Sequence, residues 1–316
     1  MKPFAFVFPG QGSQSVGMLD AWGDHTVVRQ TLQEASDALG EDVAQLIQQG
    51  PKEALALTTN TQPVMLVAGV AAWRVWRDAG GALPAAVAGH SLGEYTALVA
   101  AGVLTLAQAA PLVRFRAQAM QEAVPVGVGA MAAILGMGAD AVRAGCAEAQ
   151  ASFAAGSGEV VEAVNFNDPA QTVIAGSKAA VDKACEVLKA NGAKRALPLP
   201  VSAPFHSSLM KPAAERLKAQ LAVTAFAAPQ LPVVNNIDVA VVSGADAMRD
   251  ALYRQAFGPV RWVETVQAIK ARGIPTVVEC GPGKVLAGMV KRIDAELASA
   301  ALYDPATLAD VQALLV

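Results

Sequence analysis

Ser91 lies at the centre of a G-x-S-x-G pattern in the stretch GHSLGEYTALVAAG, residues 89–102. The apolar runs around it predict a strand before the serine and a helix after it, which places Ser91 on the turn between them. Such a turn exposes the hydroxyl, and the following helix N-terminus offers N–H donors and a positive dipole. The pattern predicts a nucleophile whose acyl ester passes to water, or to another thiol or alcohol. A buried turn without a catalytic role is the alternative that these five residues leave open.

A nucleophilic serine needs a base, and the chain contains only three histidines. His25 lies in a polar stretch near the predicted start of a helix, where we expect it at the surface. His90 directly precedes Ser91, so alternation along a strand is expected to turn its side chain to the opposite face. His206, in SAPFHSSLM, remains by elimination as the predicted base. A histidine held only by backbone groups is the alternative.

The segment FPGQGSQ follows a predicted strand and resembles the opening of a dinucleotide-binding loop. A third glycine would be needed at position 15, where this chain has Ser15. The chain also lacks a phosphate-binding G-x-x-x-x-G-K-[ST] loop and a histidine pair at metal-ligand spacing. We therefore expect neither a bound nucleotide nor a metal here. The glycines Gly10 and Gly12 instead favour a loop whose backbone N–H groups stabilise an oxyanion.

Composition restricts the class of protein. The chain has 316 residues, 53% of them hydrophobic and 16% charged, and a net charge of −3. This balance predicts a large buried core and argues against a nucleic-acid binder. The three cysteines show no C-x-x-C spacing, and the apolar segments are shorter than the about 18–20 residues of a membrane span. We expect a soluble, cytoplasmic protein without a signal peptide or a membrane span.

Buried apolar runs alternate with helical stretches over most of the chain. The runs at 5–8, 85–91 and 275–281 each end at a glycine-bearing turn. This alternation predicts an α/β fold with a parallel sheet, in which ligands bind at the carboxyl ends of the strands. The predicted helices that belong to this sheet include 28–39, 63–79, 94–101 and 106–122.

The middle of the chain follows the order β-α-β-β-α-β, which is the ferredoxin-like unit. Its predicted elements are 130–137, 139–150, 160–167, 171–177, 178–191 and 194–201. We therefore predict an inserted small domain at 128–200. The large domain would comprise residues 1–127 and 201–316.

Seven segments together carry a resemblance to a known family. They are FPGQGSQ, GHSLGEY, VRFRAQAMQEAVP, AVNFNDPAQTVIAG, PVSAPFHSSLM, YRQAFGPVRW and VVECGPGKVLAG. The chain resembles the malonyl-CoA:acyl-carrier-protein transacylases of bacterial fatty-acid synthesis, which are related to polyketide-synthase acyltransferase domains. The resemblance runs from about residue 4 to about residue 291 and implies an α/β-hydrolase-like large domain. The tail after residue 292 is its least familiar part.

The resemblance implies a catalytic dyad without a carboxylate. Ser91 would be the nucleophile and His206 its base, oriented by a backbone carbonyl at Gln255. The backbone N–H groups of Gln11 and Leu92 would form the oxyanion hole.

Arg116 bears on which acyl group the serine would carry. On residues alone, an arginine in the apolar stretch VRFRAQAM suggests a structural ion pair or a surface position; the resemblance instead implies a bidentate grip on the free carboxylate of malonate. Arg114 would point away from it. The resemblance also implies that Phe205 excludes a methyl group on the malonyl α-carbon. Gln62 and Asn165 would line the pocket, or alternatively make only turn and strand contacts.

The resemblance implies malonyl transfer from malonyl-CoA to acyl carrier protein through a malonyl-serine ester, with no bound cofactor or metal. We expect a monomer. A serine hydrolase, a carrier-docking module without activity, a stand-alone polyketide acyltransferase and a malonate-decarboxylase subunit are the alternatives. The acidic carrier is expected to dock on basic residues near the cleft, for which the candidates are Lys178, Lys183, Lys189, Arg195, Lys284 and Arg292.

Overall fold

The computed structural model describes residues 2–201 and 203–316. The strands within these residues are β1 (Phe4–Phe8), β2 (Ala86–Gly89), β3 (Gly129–Leu135), β4 (Val161–Asp168), β5 (Gln171–Ser177), β6 (Arg195–Pro198), β7 (Val233–Val234), β8 (Thr276–Cys280) and β9 (Ala298–Leu302). The helices are α1 (Thr26–Leu39), α2 (Val43–Gln49), α3 (Lys52–Ala56), α4 (Thr58–Asp78), α5 (Gly93–Ala100), α6 (Leu106–Glu122), α7 (Ala139–Ala151), α8 (Lys178–Ala190), α9 (Lys211–Val223), α10 (Ala245–Ala256), α11 (Trp262–Ala271), α12 (Val285–Ile293) and α13 (Pro305–Leu315).

The larger sheet is parallel and has the strand order β7-β2-β1-β8-β9. Both of its faces are buried, because Phe4, Phe6 and Phe8 of β1 join one apolar cluster while Ala5 and Val7 join another. The three strands predicted from the sequence are the adjacent strands β2, β1 and β8. Their carboxyl ends meet at one edge of the sheet, which is where a ligand site is expected.

The smaller sheet is antiparallel and has the strand order β4-β5-β3-β6. Helices α7 and α8 cover one face, where Ala132 and Ile134 of β3 belong to the apolar cluster that includes these helices. Met131 and Ala133 face the other way and join the main core. This is the predicted ferredoxin-like arrangement, so the predicted α/β fold class is confirmed. The exact domain boundaries at 127/128 and 200/201 stay a prediction.

Two parts of the parallel sheet were not predicted from the sequence. The edge strand β7 is only two residues long, and β9 lies in the tail after residue 292 with the sequence ASAAL. Helix α13 then follows, and its last turn is bonded to the start of the chain by the Lys2 N–H, which donates to the Leu315 carbonyl at 3.2 Å. Within the described residues, no helix combines the length and the apolar character that crossing a bilayer requires.

Candidate active site

Ser91 lies on a sharp backbone turn between β2 and α5. Its φ is +52°, in the left-handed region that non-glycine residues rarely adopt. The glycines of the motif are required by close backbone approach. A Cβ on Gly89 would lie 1.9 Å from the carbonyl carbon of Gly93, and one on Gly93 would lie 2.0 Å from the carbonyl oxygen of Phe8. The turn therefore presents the Ser91 side chain at the carboxyl edge of the parallel sheet.

His206 is hydrogen-bonded to the serine. Its Nε2 lies 2.7 Å from Ser91 Oγ, and its Nδ1 lies 2.9 Å from the backbone carbonyl oxygen of Gln255. Because a carbonyl only accepts, Nδ1 carries the proton and Nε2 is free to accept from the serine hydroxyl. Burial, and secondly the positive charge of Arg116, lower the pKa of His206 to about 3. The imidazole is therefore neutral at pH 7, with a carbonyl rather than a carboxylate at Nδ1.

Arg116 projects from α6 into the same site and is only 2% exposed. One terminal nitrogen donates to Gln62 Oε1 at 2.5 Å, and the other lies 3.2 Å from both Ser91 Oγ and Gln255 Oε1. The Tyr95 ring lies beneath the guanidinium at 5.5 Å. Within residues 2–201 and 203–316, Arg116 has no carboxylate at ion-pair distance, and its Nε has no partner. The structural ion pair considered from the sequence is therefore not formed.

Arg114, two residues earlier on α6, has a different environment. Its terminal nitrogens donate to Asn60 Oδ1 at 2.9 Å and to the carboxylate of Glu41. It points away from Ser91, as the helical spacing predicts.

A cavity of about 120 Å³ opens beside the serine. All the predicted site residues border it except Gln255. Gln255 instead contacts two of them, accepting from Arg116 through its side chain and from His206 through its backbone carbonyl. Its apolar wall also contains residues that sequence reasoning did not single out, namely Met120, Met131, Leu199 and Val201. Phe205 is 8% exposed and completes this wall beside His206.

Gln11 and Leu92, the predicted donors of the oxyanion hole through their backbone N–H groups, both border the cavity. Neither backbone N–H group donates a hydrogen bond to any part of the described chain. The loop that carries Gln11 packs closely on the serine turn, since a Cβ on Gly10 would lie 2.6 Å from the His90 carbonyl oxygen. Two N–H donors without protein partners are consistent with the predicted oxyanion site.

Gln62 and Asn165 occupy different elements of the cavity wall. Gln62 lies within α4, so the turn contact considered from the sequence is wrong, and its Nε2 donates to Thr58 Oγ1 at 3.2 Å. Asn165 lies on β4, as predicted, and its buried Oδ1 has no partner in the part of the chain that the structure describes.

The other two histidines do not contact the Ser91 hydroxyl. His25 caps α1, where its Nδ1 accepts from the Val27 N–H at 3.3 Å. His90 borders the cavity, with Nε2 2.8 Å from Asn167 Oδ1. Its ring also packs against Trp262 at 5.5 Å, so its side-chain partners differ from those of the Ser91 hydroxyl, which are His206 and Arg116.

Two buried residues that support the site were missed in the sequence. Asn236 Oδ1 accepts from the Ser91 N–H at 2.7 Å, and its Nδ2 donates to the Gly89 carbonyl at 2.7 Å. Glu94 Oε2 accepts from the Asn236 N–H and from Gln255 Nε2, each at 2.9 Å. A carboxylate at the start of an apolar helix was a signal for Glu94. No local pattern marked Asn236, which is 145 residues from Ser91 in the chain.

The described residues contain no group of three or more His, Cys, Asp or Glu side chains placed to hold a metal ion. The parallel sheet and the bonded serine–histidine pair define the class of serine-dependent acyl-transfer proteins. Residues 5–308 match the family model described as an acyl transferase domain.

Similar proteins narrow the class. The chain is 53% identical to the malonyl CoA-acyl carrier protein transacylase of Salmonella typhimurium, over 98% of each chain. A solved structure of acyl-carrier-protein S-malonyltransferase from Burkholderia pseudomallei is 66% identical, with a TM-score of 0.95 over 98% of this chain and 99% of that one. A malonyl-transacylase solved with a type II PKS acyl-carrier protein is 51% identical, with a TM-score of 0.94 over 98% of each. The chain therefore belongs to the malonyl CoA-acyl carrier protein transacylase family of acyltransferases.

Proposed function

We propose that this protein transfers a malonyl group from malonyl-CoA to the phosphopantetheine thiol of acyl carrier protein in fatty-acid biosynthesis. The observation that carries this proposal is the buried guanidinium of Arg116, 3.2 Å from Ser91 Oγ and without a carboxylate partner in the described chain. A buried cation is costly unless an anion meets it. The free carboxylate of a malonyl thioester supplies that anion, whereas an acetyl group does not.

In the first half-reaction, Ser91 Oγ attacks the thioester carbonyl carbon while His206 Nε2 accepts the hydroxyl proton. The N–H groups of Gln11 and Leu92 stabilise the negative oxygen of the tetrahedral intermediate. The C–S bond then breaks, and His206 returns the proton to the departing CoA thiolate. A malonyl-serine ester and free CoA result.

In the second half-reaction, the carrier thiol takes the place of CoA. His206 accepts the thiol proton, the sulfur attacks the malonyl ester, and the proton returns to Ser91 Oγ as the C–O bond breaks. Each half-reaction exchanges one acyl bond for another and moves its proton through His206, so the proposed reaction uses no cofactor or metal. All the groups used belong to one chain, so a monomer suffices. We place the reaction in the cytoplasm, where the three free cysteines stay reduced.

The carrier would dock through its acidic surface. Three of the six predicted basic residues are already paired within the chain, as Lys178 with Asp182, Lys183 with Glu186, and Arg292 with Asp168. The three without an ion pair in the described chain are the stronger candidates, namely Lys189, Arg195 and Lys284.

The decisive experiment is intact-protein mass spectrometry after brief mixing with malonyl-CoA or acetyl-CoA. We expect a malonyl adduct that persists in buffer, discharges onto carrier protein and is absent in Ser91→Ala. In Arg116→Ala, the rate of malonyl loading should fall about 10- to 100-fold relative to acetyl loading, because a charge-assisted pair contributes about 1.5–3 kcal/mol.

Arg114→Ala is the matched control, since it removes a guanidinium from the same helix but faces Glu41 and should leave the loading preference unchanged. An adduct that decays to free malonate without a carrier would identify a hydrolase instead. Unchanged malonyl preference in Arg116→Ala would refute the carboxylate-binding role.

A further inference from the structure

Glu94 is a fully buried carboxylate at the start of α5 that the reaction described above does not use. We propose that Glu94 is a positioning residue that fixes the side-chain amide of Gln255 and, through it, the guanidinium of Arg116. This role rests on the proposed malonyl transfer, because its effect is on the recognition of the malonyl carboxylate.

The contacts of the Gln255 amide carry this inference. Its Nε2 donates to Glu94 Oε2 at 2.9 Å and to the Ser91 carbonyl oxygen at 3.1 Å. Its Oε1 accepts from Arg116 at 3.2 Å. In the reversed orientation, the amide oxygen would face two acceptors and the NH₂ group would face the guanidinium donors. Glu94 therefore helps to hold Oε1 towards Arg116.

The same carboxylate oxygen also accepts the backbone N–H of Asn236, whose side chain holds the Ser91 N–H. Loss of the Glu94–Asn236 contact would displace the Ser91 nucleophile and would slow loading of every acyl group alike. Loss of the Gln255 contact would displace Arg116, which adds a penalty only for an acyl group with a free carboxylate. The ratio of malonyl loading to acetyl loading therefore reports the Gln255 contact alone.

The proposal depends on the reach of an acceptor oxygen and not on a negative charge. Burial raises the pKa of Glu94 to about 7, although hydrogen bonds from Asn236 and Gln255 and the nearby Arg116 oppose the rise. Both donors meet Oε2, so a proton on Oε1 leaves the two hydrogen bonds intact. Glu94→Gln retains an acceptor at the same reach without the charge. Glu94→Asp retains the charge but is shorter by one methylene group.

Glu279 supplies the matched control. It is a completely buried carboxylate on β8, and its Oε2 accepts from the Ala287 N–H at 2.8 Å, at the start of α12. It makes no hydrogen bond to Gln255 or Arg116 in the described chain. Glu279→Asp shortens a buried carboxylate to the same extent, with a comparable risk to folding but no link to the guanidinium.

The experiment measures second-order rate constants for loading of full-length protein by malonyl-CoA and acetyl-CoA. Each is followed by intact mass, and their ratio is independent of the folded fraction. We expect Glu94→Asp to lower the malonyl-to-acetyl ratio about tenfold, which corresponds to about 1.4 kcal/mol. Glu94→Gln and Glu279→Asp should leave the ratio within about twofold of the wild type.

The positioning role is overturned if Glu94→Asp keeps the wild-type ratio, or if Glu94→Gln lowers the ratio as much as Glu94→Asp does. Either result would leave malonyl transfer by the wild type intact. A wild-type protein that forms no malonyl adduct would instead overturn the proposed function, and the role of Glu94 with it.

Discussion

The carboxyl edge of the parallel sheet and the antiparallel sheet are held together by different interactions. At the parallel edge, buried polar side chains bond to one another and to the backbone around Ser91; they include Glu94, Arg116, His206, Asn236 and Gln255. The antiparallel sheet packs mainly through small and aliphatic side chains against α7 and α8. The difference separates two tasks, because hydrogen bonds fix the direction of each reacting group while apolar packing holds the sheet whose other face contributes Met131 to the cavity wall.

The largest effect on stability is expected where the backbone packs closely at the parallel edge. Gly89→Ala should lower the free energy of unfolding by at least about 4 kcal/mol or prevent folding, since its Cβ would overlap the Gly93 backbone. Gly138, at the start of α7, has a φ of −70°, and a Cβ added there would have no other atom within 4 Å. Gly138→Ala should change stability by less than about 1 kcal/mol. If urea denaturation showed the same loss of unfolding free energy in both variants, the close backbone packing around Gly89 would not be specific to the parallel edge.

A smaller effect on stability is expected at Glu279, the buried carboxylate of β8. Burial raises the pKa of Glu279 to about 7, so between about pH 4.5 and 7 the folded state keeps a proton that the unfolded chain releases. This contribution to the free energy of unfolding is complete below about pH 4.5 and decreases as pH rises to 7. Relative to wild type, Glu279→Gln should therefore become more stable across this window, by up to about 3 kcal/mol.

The measurement is urea denaturation of Glu279→Gln and wild type at several pH values. The lowered pKa of His206 acts in the opposite direction, because that site loses stability as pH falls from 6.5 towards about 3. It is present in both proteins and cancels in their difference. A difference that stays constant from pH 4.5 to 7 would show that Glu279 does not keep its proton in the folded state.

The smallest effect is expected where the two regions meet, at Phe205. Phe205→Ala should raise loading of methylmalonyl relative to malonyl about tenfold, because one methyl group is worth only about 1–3 kcal/mol. Phe153→Ala is the control, since Phe153 packs against the cluster beneath α7 and α8 and does not border the cavity. Competition between the two CoA esters, read by intact mass, measures the ratio. If both variants changed the methylmalonyl-to-malonyl ratio equally, Phe205 would not determine this selectivity.

Much of the fold follows from local patterns. The apolar runs of β1, β2 and β8 and the β-α-β-β-α-β order were predictable because strand and helix periodicities are short-range properties. β7 and β9 were not, since a two-residue strand has no periodicity and ASAAL has few large apolar side chains. Their positions depend on pairing with β2 and β8 across the sheet.

The site residues likewise include some that the sequence predicts and some that only the fold brings together. His206 could be predicted as the partner of Ser91 because the chain has so few histidines, and the structure places their side chains 2.7 Å apart. The hydrogen bonds of Asn236 and Glu94 join positions distant in sequence; the position of Glu94 on an apolar helix marks the residue, but nothing in a single chain identifies its partners. The resemblance to relatives gave a role to Gln255, but the hydrogen bonds of its side-chain amide emerge only from the fold.

Burial and the charge of Arg116 make His206 a weak base, because the neutral carbonyl at Nδ1 opposes them less than a carboxylate would, and base strength governs which nucleophile can release the ester. Water holds its proton about 7 pKa units more tightly than a thiol does. A histidine without a carboxylate partner can assist a thiol far more readily than it can activate water. In the proposed reaction, the lifetime of the malonyl-serine ester is thus set by the arrival of a carrier, and solvent that reaches the cavity remains a poor competitor.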